Sequence, residues 1–151
     1  MILLNVTSRA TRDVDCLDPA IPDAVKKASV EFARLFARQF GLGEDWLNNG
    51  PESLKLELPE GWPDRAVPLF AGHALSLLTL GRMDLLRSKL YAYCDRQQDL
   101  ADCLALRPQP HELDQCLPWL LQRDANPLWP DHVRVSVNQL QEMLNHEHGS
   151  E

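Results

Sequence analysis

The sequence predicts an α+β protein, a small mixed β-sheet with a helical C-terminal half. Three observations carry this. The chain holds 27 Leu against 2 Ile and 8 Val, and leucine favours helices where β-branched residues favour strands. Residues 9–17 alternate with a period of two, as a strand does. After Gly81 the chain reads as helices punctuated by prolines at 108, 110, 127 and 130. At 151 residues the length suits one globular unit. Its expected parts are an α/β core over 1–80 and a helical region over 81–151 packed on it.

In chain order, residues 1–8 read as a short strand. Arg9 to Leu17 follow as a second one. Val14 and Cys16 fall on one face, and Asp13, Asp15 and Leu17 on the other. Asp18-Pro19 ends that strand. A helix is expected from Ile21-Pro22-Asp23 to about Phe40, because Val25, Ala28, Phe32, Leu35, Phe36 and Phe40 sit at helical spacing. Gly41-Leu42-Gly43 closes it, as a C-terminal glycine should. Residues 44–66 read as a helical turn, a loop through Asn48-Asn49-Gly50-Pro51 and a weak strand at 54–58. Residues 67–80 look like a hairpin. Helices are expected at about 82–94, 97–106, 110–122 and 130–146, and His146 to Glu151 as a frayed tail.

Composition excludes several function classes. The formal charge is −7 and the pI about 5.2, which argues against non-specific DNA binding and against adhesion to an acidic membrane surface. The apolar start Met1-Ile-Leu-Leu has no basic flank and is too short for a signal peptide or a membrane span. Cys16, Cys94, Cys103 and Cys116 contain no CxxC pair and read as reduced structural thiols, so a cytoplasmic protein is expected. His73, in an apolar run, reads as a core histidine. His146 and His148 read as solvated. Trp46, Trp62, Trp119 and Trp129 lack the basic interleaving of a nucleic-acid platform and read as packing residues.

Two segments carry chemistry. In Arg9-x-Thr11-x-Asp13-x-Asp15, the two aspartates point the same way from a strand, roughly 7 Å apart. Such a pair can hold Mg²⁺, a hard cation that accepts oxygen ligands and substrate phosphates together. The competing reading is a solvated strand face. In the second segment, Lys89 and Arg96 are seven residues apart and share a helical face, with Asp99 and Asp102 just beyond. A cation pair beside an acid pair can bind phosphates and orient a base. On spacing alone, a salt-bridged helix face is favoured.

Together the segments resemble the nucleotidyltransferase superfamily, in its branch related to abortive-infection and toxin–antitoxin proteins of bacteria. The resemblance rests on R-x-T-x-D-x-D (Arg9 to Asp15), D-W-L-N (Asp45 to Asn48), D-L-L-x-x-K-L (Asp84 to Leu90) and R-x-x-D-x-x-D (Arg96, Asp99, Asp102), in that order. It implies metal ligation by Asp13 and Asp15, with catalysis involving Asp13, Asp15 and Asp99. It implies nucleotide contacts from Arg9, Thr11, Lys89 and Arg96. The cofactors implied are Mg²⁺ or Mn²⁺ and an NTP. The implied reaction is transfer of NMP to a protein or RNA acceptor. Superfamily members carry a glycine-rich turn before the D-x-D strand, and here Met1 comes too late to contain it. The resemblance therefore implies a family member lacking its N-terminal part and impaired in activity. The alternative is a non-catalytic binding or regulatory module of a toxin–antitoxin or defence system. Glu57 is the candidate third carboxylate by strand alternation, against a simple solvent-facing role. A homo-oligomer through the N-terminal strand is expected, because that strand would expose an unpaired edge.

Overall fold

A computed structural model describes residues 13–148. The expected strand over 1–8, the residues Arg9 and Thr11, and the N-terminal oligomer edge lie outside the described residues. The class is α+β. The chain forms two compact units that divide between Leu58 and Pro59.

The first unit runs from Arg9 to Leu58. Its strand β1 (Val14–Asp15) pairs in parallel with β2 (Leu47–Asn48), with Val14 opposite Leu47 and Asp15 opposite Asn48. Between them lie helices α1 (Asp23–Leu35) and α2 (Ala37–Phe40), so this is a short parallel crossover of the kind that needs a helix between its strands. The helix predicted to Phe40 is thus broken near Phe36. It ends at Gly41, whose φ of 63° is the left-handed cap for which glycine has no steric penalty. Phe32, Phe36 and Phe40 share one face, and Phe32 lies 4.7 Å from Phe36 and 6.0 Å from Trp46, ring centre to ring centre. The Trp46 indole N–H donates to the Ser29 carbonyl at 3.0 Å, which fixes β2 to α1. Leu54–Glu57 forms a helical turn, α3, instead of the expected weak strand. Leu54, Leu56 and Leu58 do alternate, but Leu58 N–H closes back on the Leu54 carbonyl, and leucine, lysine and glutamate are good helix formers.

The second unit begins at Pro59. A 3₁₀ turn, Pro63–Arg65, leads into an antiparallel hairpin of β3 (Val67–Ala71) and β4 (Ser76–Thr79) with an irregularity between Pro68 and Phe70. His73 lies exposed in its turn, not in a core. A sharp β-turn is polar backbone and is solvated in preference to being buried. Four helices follow: α4 (Arg82–Arg96), α5 (Leu100–Leu106), α6 (Pro110–Leu120) and α7 (Trp129–His148). All four match the expected helices. The last runs on through His146, where a frayed tail was expected. The core sits among them. Leu86, Leu90 and Tyr93 of α4 and Val133, Val137 and Leu140 of α7 are buried, each set at the i, i+4, i+7 spacing that lines one helix face. Trp129 is buried there too and donates its indole N–H to the Leu120 carbonyl at 2.8 Å. Among the described residues no helix is long and apolar enough to cross a membrane.

Candidate functional site

Asp13 directly precedes β1 and Asp15 ends it. Both carboxylates are exposed. Their position is set by the pairing of the two short strands. The Cys16 N–H donates to the Asn48 carbonyl at 2.7 Å, and the Val14 N–H to the Trp46 carbonyl. Asn49 then clamps the loop after β2 onto the chain after β1. Its side-chain oxygen accepts the Ile21 N–H at 2.9 Å, and its amide nitrogen donates to the Cys16 carbonyl at 2.8 Å. Two-residue strands would not hold a register alone, so this side-chain clamp substitutes for the missing ladder bonds.

Beside Asp15 the loop turns at Asn48-Asn49-Gly50. The Asn48 side-chain oxygen accepts the Gly50 N–H. Gly50 sits hard against that oxygen. A Cβ at position 50 would lie 2.7 Å from Asn48 Oδ1 and 3.7 Å from Asp15 Oδ1. The turn is therefore too tight at position 50 for a side chain unless Asn48 gives way. An all-oxygen donor set of carboxylate and amide carbonyl suits Mg²⁺, which binds through one or two carboxylates, keeps several waters and completes its shell with phosphates. Asp13 and Asp15 supply oxygen donors of the class such an ion takes. Among the described residues, no group of three or more His, Cys, Asp or Glu side chains is placed to hold one. Glu57 is exposed on α3.

The second segment is positioned by the helical unit. Lys89 of α4 bridges two carboxylates, Asp99 at 3.2 Å and Asp102 at 2.8 Å. Burial alone would pull its ammonium below the ordinary lysine range. The Asp102 hydrogen bond and the charges of Asp99 and Asp102 outweigh that, and the net direction is upward. The lysine therefore stays charged. Asp99 takes a left-handed backbone (φ 62°) at the start of α5, a conformation that aspartate tolerates better than most residues. Lys89 thereby ties the start of α5 to the middle of α4. Arg96 separates from this group. It is exposed and its ion pair is with Asp95, at 3.5 Å. Lys89 and Arg96 are seven residues apart on one helical face, but α4 ends at Arg96, where the side chain reaches solvent.

Two residues that the motif spacing does not single out organise these segments. Asp84, the first position of D-L-L-x-x-K-L, is fully buried. It receives two bonds from Arg65, at 2.8 and 3.0 Å, and one from Arg87 at 3.1 Å. Nothing in the spacing marks Arg65, 19 residues upstream, as its partner. Asn49 was visible only as a loop residue.

Comparison with curated proteins and with solved structures finds no match to either. The motifs from Arg9 to Asp102 do find a family: residues 1–106 match the one described as nucleotidyltransferase of unknown function (DUF6036). That match spans well over half of the chain and holds both the D-x-D strand and the Lys89 bridge, and the protein therefore belongs to this family of nucleotidyltransferases of unknown function.

Proposed function

We propose that this nucleotidyltransferase-like protein binds an NTP with a divalent cation at Asp13 and Asp15, and that its reaction is transfer of NMP to a hydroxyl of a protein or RNA acceptor. The observation that carries the reading is the pair of exposed carboxylates at β1, whose place is set by its pairing with β2. In that reaction the acceptor hydroxyl oxygen bonds to the α-phosphorus and gives up its proton to solvent water, the bond to the α–β bridging oxygen breaks, and pyrophosphate leaves with the electron pair. Mg²⁺ held by Asp13 and Asp15 would supply charge neutralisation at the phosphates. The chain's own part is to hold those carboxylates rigidly, which the strand pairing and the Asn49 clamp do. The same reading gives Lys89 a phosphate contact and Asp99 a catalytic or structural part. It gives Arg96, exposed at the end of α4, an outer phosphate contact.

The test is incubation of the full chain with each α-³²P-labelled NTP and Mn²⁺ or Mg²⁺, alone and with bulk RNA or protein extract. Equilibrium binding of each NTP is measured in parallel. Labelling that disappears in the Asp13→Ala, Asp15→Ala double variant is expected. Cation-dependent NTP binding without any labelled product would support the binding-module alternative instead. Neither binding nor labelling would refute both. Lys89→Met separates its two roles. A phosphate contact predicts weaker NTP binding, at least about tenfold, whereas a purely structural bridge predicts a lower melting temperature with binding unchanged.

A further inference from the structure

We draw no further inference here: the strongest candidate, the apolar surface of the β3–β4 hairpin, where Val67, Phe70, Leu75, Leu77 and Leu78 are exposed, carries none, because nothing in the structure shows what covers it.

Discussion

At the scale of single residues, the clearest energetic statement concerns Glu112. It is nearly buried and takes both oxygens to Arg82, at 2.7 and 2.9 Å. It also accepts the Gln109 N–H at 2.9 Å, which caps α6. The Arg82 hydrogen bonds hold its carboxyl at about 2, against burial, with the Gln109 N–H adding to the same direction. Its folded value lies below its unfolded value. Its contribution is therefore complete at neutral pH and is lost as pH falls from about 4.5 toward 2. Because the Arg82 side chain is half exposed, solvent screening reduces the contribution to about 2 kcal/mol. Glu112→Gln should lower stability at pH 7 by that amount and flatten the acid limb of a urea-denaturation series. Equal stability of the two proteins at pH 7 would disprove the assignment. Asp84 makes the opposite test. Removing it as Asp84→Ala leaves the Arg65 and Arg87 guanidiniums without their buried partner and should cost about 3–5 kcal/mol, measured by the same denaturation.

At the scale of elements, the joint between the hairpin and α4 is set by one glycine. A Cβ at Gly81 would run into the Arg65 backbone carbonyl oxygen, which cannot move away as a flexible side chain could. Arg65 is itself held by Asp84 and by the Glu60 and Pro59 carbonyls. Gly81→Ala is therefore expected to destabilise by about 1–3 kcal/mol, the cost of forcing bulk into a packed place. A melting temperature unchanged from the wild type would contradict this. The hairpin itself behaves differently. Phe70, Leu75 and Leu78 are exposed on it, so Leu78→Thr should change stability by no more than about 0.5 kcal/mol.

At the scale of the whole molecule, the cysteines distinguish the surface from the core. Cys94, Cys103 and Cys116 are buried, and burial pushes their thiols up to about 11, 12 and 11. Thiolate is the reactive form, so these three are inert at neutral pH. Cys16 is half-buried. Native protein treated with a thiol reagent should label at Cys16 first, and at the other three only on unfolding, as read by mass spectrometry. Rapid labelling of Cys103 in the native protein would show that the helical core opens far more often than its packing implies.

The α+β class, the hairpin at 67–79, four helices after Gly81, the glycine stop at Gly41 and the motif order that marks the family are all legible in the amino-acid sequence. These are local signals, carried by period, by caps and by breakers within about a helix length of one another. The rest depends on contacts between distant parts of the chain. Leu54 to Leu58 carry a strand's alternation, yet their backbone closes into a turn. His73 lies in an apolar run, yet it sits at an exposed bend. Lys89 and Arg96 share a helical face on paper, but one faces two aspartates and the other reaches water. Asp84 finds Arg65, and Asn49 finds Cys16 and Ile21, across separations that no spacing rule encodes. Partners far apart in the chain are chosen by which packing satisfies buried polar groups, and that choice exists only once the chain has folded.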